Sequence, residues 1–304
     1  MTSPAENLDF KLHAPALRQQ VDAALDGYAQ YNEDCPPRLA AAIRHSLLAP
    51  GKRLRPMLVL MACDACGYDY KAALPAACAV EMIHTYSLIH DDLPAMDDDD
   101  MRRGLPSCHA KFGEATAILA GDALLAQAFE VVATLTQPPA SAARCCAELA
   151  KAAGASNLVG GQQDDLAAEF ADRGSAESRL EELQRIHRRK TGALISVSLR
   201  LGGIVAGADE PRLNTLTRYG DCLGLAFQIV DDLLDMNGEV ALLGKHTGKD
   251  EQDGKLTFPS LLGADESRRR ATALIEEAIA ALKPLAPRAN GLAGLARFVL
   301  ERNQ

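Results

Sequence analysis

The chain has 304 residues, 48% of them apolar, and a formal net charge of −9. This is enough apolar material for a sizeable core, and length alone allows either one large domain or two smaller ones. An acidic chain is a poor match for nucleic acid, although it can bind an anionic substrate when metal ions stand between the two negative partners. Because Trp is absent and aromatic residues make up only 4%, the composition favours helix over sheet.

The N-terminal residues contain Glu6 and Asp9 and lack the apolar stretch of a signal peptide. No run of about 18 apolar residues occurs, so the sequence predicts no membrane span and a cytoplasmic protein. Cys63 and Cys66 have CxxC spacing, but no second Cys or His pair stands at zinc spacing. The cysteines are therefore expected to be reduced core residues.

Apolar residues at three- and four-residue spacing predict a series of helices along most of the chain. These predicted helices cover residues 15–48, 55–66, 72–89, 114–135, 140–154, 180–201, 212–234, 267–282 and 291–302. The stretches 76–89 and 219–234 are apolar nearly all round, which is typical of helices buried on every side. Each runs directly into a block of aspartates, so we expect one central cavity with two facing acidic walls.

The second aspartate block, Asp231-Asp232-Leu233-Leu234-Asp235, forms a polar stripe with Gln228 on an otherwise apolar helix. Buried carboxylates need a cation, and no Lys or Arg lies among these. Carboxylate oxygens on a rigid helix suit Mg²⁺, which takes one or two carboxylates and completes its shell with substrate phosphates. The alternative, a solvated charge run, fits poorly because large apolar residues alternate with the acids.

The first block runs from Asp91 to Asp100 and has Pro94 near its start. Asp91 and Asp97 are about 240° apart on an ideal helix and cannot share one of its faces. Pro94 predicts that the helix deforms or ends, which would aim both carboxylates at the same metals. Arg102 and Arg103 follow directly, and guanidinium groups bind phosphate oxygens in pairs.

Basic residues also stand at the start of an apolar helix, where Lys52, Arg53 and Arg55 oppose the helix dipole. That placement is favourable when an anion binds there, and otherwise it is an exposed basic turn. Lys190 would bring a positive charge to the acidic cavity. The polar segment 236–259, rich in Gly and Lys, is a candidate lid over that cavity.

Taken together, these motifs resemble the trans-isoprenyl diphosphate synthases and are most similar to the bacterial farnesyl diphosphate synthases. The motifs occur in the order of that family, between about residues 49 and 259. They are Gly51–Pro56, Ser87–Gly104, Gly160–Asp165, Lys190-Thr191-Gly192, Phe227–Asp235, Gly248-Lys249-Asp250 and Gly254-Lys255.

The resemblance implies a single synthase domain over residues 1–304, an all-α bundle around a cavity, and a homodimer. It implies about three Mg²⁺ ions held by Asp91, Asp97 and Asp231, with Asp92 and Asp235 as supporting carboxylates. The allylic diphosphate would contact Arg102, Lys190, Lys245 and Lys255. Isopentenyl diphosphate would contact Lys52, Arg55, His84 and Arg103. Thr191 and Gln228 would flank the reacting carbons, where Lys190, Thr191 and Gln228 would place dipoles near an allylic cation.

The family also implies that bulk about five residues before Asp91 limits the product, which makes Tyr86, with Ser87 beside it, the expected floor of the cavity. The resemblance therefore implies a fifteen-carbon product, farnesyl diphosphate. The alternative is a geranylgeranyl diphosphate synthase, which makes a longer product by the same chemistry. On an ideal helix Tyr86 lies about 140° from Asp91, so a buried core Tyr remains the alternative to a cavity floor.

Three other functions fit the sequence less well than a synthase. A terpene cyclase would need no second substrate site, and a non-catalytic synthase subunit should lack one of the two acidic motifs. A calcium-binding loop needs acidic residues at a different spacing.

Overall fold

The computed structural model describes residues 8–168, 175–236 and 256–301, and almost all of them are helical. The all-α prediction is therefore confirmed. The helices are α1 Phe10–Tyr28, α2 Pro37–Leu47, α3 Leu54–Ala65, α4 Leu74–Asp91, α5 Cys108–Phe112, α6 Glu114–Leu135, α7 Pro139–Ala153, α8 Leu158–Ala168, α9 Ala176–His187, α10 Ala193–Val205, α11 Glu210–Met236, α12 Phe258–Leu262, α13 Ala264–Ala281 and α14 Asn290–Glu301. Short 3₁₀ turns cover Tyr70–Ala73 and Lys283–Leu285.

The core of the bundle is built from the helices that are apolar on all sides. Every residue from Pro56 to Ala65 in α3 is buried, and α4 is buried along most of its length. The α4 helix packs against α3 and α6, while α10 packs between α3 and α11. The buried face of α11 includes Leu233 and Leu234, which alternate with its acidic residues. The prediction of two buried helices that end in aspartates is confirmed.

Two predicted helix boundaries were wrong. The predicted helix 15–48 is divided into α1 and α2, because Pro36 has no backbone N–H and precedes Pro37 at the first turn of α2. Conversely, Gly202 and Gly203 were expected to end a helix and instead lie within α10. A Cβ on Gly202 would lie 2.1 Å from the Val59 carbonyl oxygen of α3, and one on Gly203 would lie 2.7 Å from the Leu213 side chain of α11. The two glycines therefore allow α10 to pack closely against both neighbouring helices.

The helix predicted at residues 180–201 is interrupted by a π-helical turn, Arg188–Gly192, between α9 and α10. A π turn inserts one extra residue into the hydrogen-bond ladder and commonly marks a functional position. Lys190 and Thr191 both lie in this turn. The three short or polar helices α5, α8 and α12 were not predicted, because they lack long apolar repeats.

The end of α4 confirms the deformation expected around Pro94. The helix stops at Asp91, and the chain turns back so that the Asp97 N–H donates to the Asp91 carbonyl at 2.9 Å. A two-residue hairpin follows, with strands β1 Met101–Arg102 and β2 Leu105–Pro106. Arg103 and Gly104 form its turn with positive φ values of 54° and 77°, as such tight hairpins require.

Two stretches of helix are long and apolar enough to cross a membrane by length and composition alone, residues Tyr70–Asp91 and Glu114–Leu135. In the most apolar part of the first, 72% of the residues are buried inside the protein, as expected of a core helix. In the second only 33% are buried, so α6 exposes an apolar face. The absence of a membrane span thus stays a prediction from the sequence.

Candidate active site

The first acidic wall is formed by the end of α4 and the turn that follows it. The backbone hydrogen bond from Asp97 to Asp91 places these two residues side by side. Burial raises the pKa of Asp91 to about 6; Lys190 and Arg102 oppose this increase, and Asp97 adds to it. Two carboxylates that repel one another in a half-buried position are an arrangement that a divalent cation stabilises.

Arg102 is held beside this wall by carboxylates. Its Nε donates to Asp92 Oδ1 at 2.9 Å, its second nitrogen also pairs with Asp92, and Asp99 lies 3.5 Å away. The side chain of Asp92 is almost fully buried, so Arg102 supplies the charge that this carboxylate needs. The role of Asp92 as a supporting carboxylate of the metal site stays a prediction.

The second acidic wall is a row of half-buried polar residues on α11, formed by Gln228, Asp231, Asp232 and Asp235, with buried Ile229, Val230, Leu233 and Leu234 between them. Asp232 accepts the Phe258 N–H at 2.8 Å and so fixes the start of α12. The ring of His187 stacks on Phe258 at 5.7 Å. The structure thus gives Asp232 an anchoring function, and it leaves Asp231 within electrostatic range of Arg55.

The π turn brings a cation close to the first wall. Lys190 Nζ pairs with Asp165 Oδ2 of α8 at 2.7 Å. Burial alone would lower the pKa of Lys190, but Asp165, then Asp91 and Asp97, outweigh it and raise this pKa above its ordinary value. Lys190 therefore stays charged at neutral pH within the field of the first wall.

Glycines allow neighbouring helices to approach the π turn closely. A Cβ on Gly161 of α8 would lie 2.4 Å from the Lys190 backbone nitrogen, and one on Gly224 of α11 would lie 3.0 Å from the Gly192 Cα. Thr191 is adjacent to Gly192, and Gln228 is one helical turn beyond Gly224. The expected pair of Thr191 and Gln228 thus lies on two elements in direct contact.

The second predicted diphosphate site is a cluster of basic groups at the start of α3. Burial lowers the pKa of Arg55, with Arg103 adding to the decrease and Glu81 and Asp231 opposing it. Burial and the neighbouring Arg55, Arg103 and Arg102 guanidinium groups hold the pKa of His84 well below its usual range, so His84 is neutral. The Nε of Arg55 is buried without a hydrogen-bond partner, which leaves a donor for an anion. Lys52 is exposed beside it.

The expected chain-length residues lie on α4. Tyr86 is only 7% exposed, and its ring meets the His90 ring edge-on at a centroid distance of 5.8 Å. His90 lies against α6, 3.1 Å from the Ile118 carbonyl oxygen. Tyr86 therefore lies on the side of α4 that faces α6. The Ser87 hydroxyl donates to the His84 carbonyl of its own helix at 2.9 Å.

Some expected site residues lie outside the described residues. These are Lys245 and Lys255, together with most of the polar segment 236–259 that the sequence suggests as a lid. Their assignments stay predictions.

The donor groups fit Mg²⁺ bound together with diphosphate. Within residues 8–168, 175–236 and 256–301, no three His, Cys, Asp or Glu side chains come close enough to hold a metal by themselves. Mg²⁺ does not require such a cage, because phosphate oxygens and water complete its octahedral shell. The raised pKa of Asp91, and the buried, unpartnered amide of Gln162 on the helix that packs against the π turn, are both consistent with a bound ligand.

Sequence reasoning missed several residues that organise the site. Asp165, which holds Lys190, was seen only as part of a motif. Glu81 was missed altogether, although it is the only charged residue between Leu74 and Ile89. A lone carboxylate within a buried apolar helix needs a partner, and that signal was available from the sequence.

Comparison with known proteins gives a consistent result over most of the chain. The signature of the Polyprenyl synthetase family matches residues 36–286. The chain is 43% identical to the farnesyl diphosphate synthase of Escherichia coli (strain K12), over 98% of this chain and 100% of that one. It is 45% identical to a chloroplastic geranylgeranyl pyrophosphate synthase of Catharanthus roseus, over 99% of this chain and 84% of that one.

Solved structures with the same fold include an FPP/GFPP synthase from Zymomonas mobilis, with a TM-score of 0.85 and 38% identity over 95% of this chain and 98% of the other. A geranylgeranyl pyrophosphate synthetase from the archaeon Geoglobus acetivorans has a TM-score of 0.81 and 34% identity, over 95% and 100% of the two chains. The chain therefore belongs to the polyprenyl synthetase family of prenyltransferases and has the all-α isoprenyl synthase fold.

Proposed function

We propose that the protein is a farnesyl diphosphate synthase, which condenses isopentenyl diphosphate with dimethylallyl and then geranyl diphosphate. The observation that carries the proposal is the pairing of two acidic walls with two separate groups of cations. Lys190 and Arg102 lie at the first wall, and Arg55 and Arg103, with the neutral His84 beside them, form the second group. Two diphosphate substrates need two such groups, whereas a cyclase needs one.

In the first step the allylic C–O bond breaks and diphosphate leaves. Asp91, Asp97 and Asp231 are the residues that would hold about three Mg²⁺ ions, which supply neutralisation of the negative charge that grows on the leaving group. Lys190 and Arg102 add fixed positive charge at the same place. Because both are already oriented by Asp165 and Asp92, little reorganisation is required when the bond breaks.

In the second step the double bond of isopentenyl diphosphate attacks the allylic cation, and a proton is lost to complete the new double bond. Arg55, Arg103 and neutral His84 would hold the second diphosphate through charge-assisted hydrogen bonds. Thr191 and Gln228 can place oxygen dipoles beside the cation. By resemblance the released diphosphate accepts the proton, so no side-chain base is needed.

Product length is the finest part of the proposal, since the relatives include both farnesyl and geranylgeranyl synthases. The Tyr86 ring is buried on the α6 side of α4, and a ring in that position would favour a short product if the growing chain runs along this helix. We expect wild type to release mainly a fifteen-carbon product and Tyr86→Ala to extend chains to twenty carbons or more. The measurement is chromatography of the dephosphorylated alcohols.

The matched control is Tyr86→Phe, which keeps the ring and removes only the hydroxyl. It should still give fifteen carbons, which separates bulk from hydrogen bonding. A wild type that makes mainly the twenty-carbon alcohol would favour a geranylgeranyl synthase. Identical products from Tyr86→Ala and wild type would assign the floor to another residue.

We also propose that the protein is a homodimer that pairs through α6. This helix exposes apolar side chains along one side, including Ile118 at 44% and Leu119 at 56%. Ala115, Ala126 and Ala133 are exposed at compatible helical spacing, and small residues allow close helix contact. A second copy of this helix would cover the face, because twofold dimers are the commonest symmetric assembly.

Sedimentation velocity tests this assembly. We expect wild type to have the mass of two chains and Leu119→Glu to shift towards one chain, because a charge would be buried at the interface. Leu12→Glu is the matched control, since Leu12 on α1 is 75% exposed on a different surface, and it should remain dimeric. A wild type with the mass of one chain would contradict the proposal, and binding to lipid vesicles would indicate a membrane as the alternative partner.

A further inference from the structure

Glu81 is a buried carboxylate in the middle of α4, with only 2% of its surface exposed. Its Oε1 accepts from Arg53 at 2.8 Å and lies 3.7 Å from a guanidinium nitrogen of Arg103. One carboxylate thus serves two arginines that come from different parts of the chain. Arg103 comes from the hairpin after the first wall, and Arg53 directly precedes α3.

The two arginines differ in how many other partners they have. Arg53 also donates from Nε to Asp22 at 2.7 Å and from its second terminal nitrogen to the Leu47 and Ala49 carbonyls, both at 3.0 Å. It is fixed by four acceptors and its side chain is 2% exposed, so Arg53 is a structural residue. The side chain of Arg103 is 20% exposed, and the ion pair that the structure gives it is with Glu81.

The position of Arg103 also depends on the backbone beneath it. A Cβ on Gly51 would lie 2.9 Å from an Arg103 terminal nitrogen and 3.2 Å from its guanidinium carbon. The guanidinium group therefore lies directly over the chain that leads to Arg55. Without a carboxylate, Arg103, Arg53 and Arg55 would repel one another, since Arg53 and Arg55 are each within electrostatic range of Arg103.

We propose that Glu81 is a positioning residue for the second diphosphate site, which acts by holding Arg103 over Gly51 and next to Arg55. The inference rests on the proposed function of the site and assigns to Glu81 a role that involves no contact with substrate. Arg53 is held in place by its four acceptors, and Arg103 is the side chain that would contact the diphosphate.

Glu81→Gln tests the role because it preserves shape and removes the charge. Since a charge-assisted contact to Arg103 is weakened, the KM for isopentenyl diphosphate should rise roughly tenfold. The KM for the allylic substrate and kcat should stay within about twofold of wild type, because the first wall is unchanged. A purely structural effect would instead alter all three constants or the melting temperature alone.

The matched control is Asp22→Asn, which removes a carboxylate from Arg53 without touching Arg103. It should leave both KM values unchanged. In an Arg103→Met background, Glu81→Gln should change the KM for isopentenyl diphosphate by less than about a further twofold, because the guanidinium group through which Glu81 acts is absent. If Glu81→Gln fails to fold, the pair Glu81→Gln with Arg53→Gln removes both partners of the buried bridge and should show the same selective rise in KM.

An unchanged or lowered KM for isopentenyl diphosphate in Glu81→Gln would overturn the inference. Glu81 would then weaken the positive potential that attracts the diphosphate and would not position Arg103. Equal effects of Glu81→Gln in the wild-type and Arg103→Met backgrounds would also overturn it. A wild type that binds isopentenyl diphosphate without forming a longer product would count against the proposed function. Calorimetric dissociation constants for wild type and Glu81→Gln would still decide the role of Glu81.

Discussion

Asp91→Ala and Asp231→Ala should each lower the rate of condensation by roughly a hundred- to a thousandfold or more at saturating Mg²⁺. The reason is that each carboxylate would hold a metal that neutralises the leaving diphosphate. Neither variant should lose its fold. Burial raises the pKa of Asp91, so its charged form is disfavoured in the folded protein, and its replacement should maintain or raise the melting temperature.

Asp100→Ala is the control for this pair, because its side chain belongs to the same acidic run and is 84% exposed. It should retain near-normal turnover. The measurement is diphosphate release against Mg²⁺ concentration, with circular dichroism to verify folding. Near-normal turnover by Asp91→Ala or Asp231→Ala at limiting Mg²⁺ would refute the metal assignment.

Gly161→Ala should reduce kcat by roughly a hundredfold, although it alters no side chain that contacts substrate. The added methyl group would lie 2.4 Å from the Lys190 nitrogen and 2.8 Å from its Cα, and neither backbone atom can move without the π turn. A shift of about 1 Å in that turn would displace both Lys190 and Thr191 from the reacting groups.

The comparison is Gly27→Ala in α1, where a Cβ meets nothing within 4 Å. This variant should keep full activity and be slightly more stable, by up to about 1 kcal/mol, because Ala is the better helix former. Single-turnover kinetics separate a slower chemical step from weaker binding. Wild-type kcat in a folded Gly161→Ala protein would show that the π turn tolerates displacement.

The sequence was sufficient to predict most helices because their apolar repeats are long. It also predicted the end of α4, since Pro94 and the spacing of Asp91 and Asp97 allow no regular helix between them. The break between α1 and α2 was missed, because Pro at the first turn of a helix begins a new helix as readily as it ends an old one. Gly202 and Gly203 were wrongly predicted to end a helix, because their role in close packing depends on α3 and α11, which a single sequence does not place next to them.

The site was predictable where like charges cluster and less so where one charge is paired across the fold. Lys190 was recognised only through its motif, and the π turn that orients it leaves no trace in helical periodicity. Its partner Asp165 lies on α8, a helix too short and polar to be predicted. Distances between helices decide such pairs, and a single sequence does not contain them.

The hairpin after the first wall has a consequence for how two substrates meet. Arg102 and Arg103 are neighbours in sequence, and the first pairs with Asp92 while the second approaches Glu81. Their Cα atoms are separated by one peptide unit, about 3.8 Å. If each arginine binds a different diphosphate, the short distance between the two Cα atoms helps to set the distance between the two anions. The planar peptide bond fixes this spacing, so one residue inserted between the two arginines would alter the alignment of both substrates together.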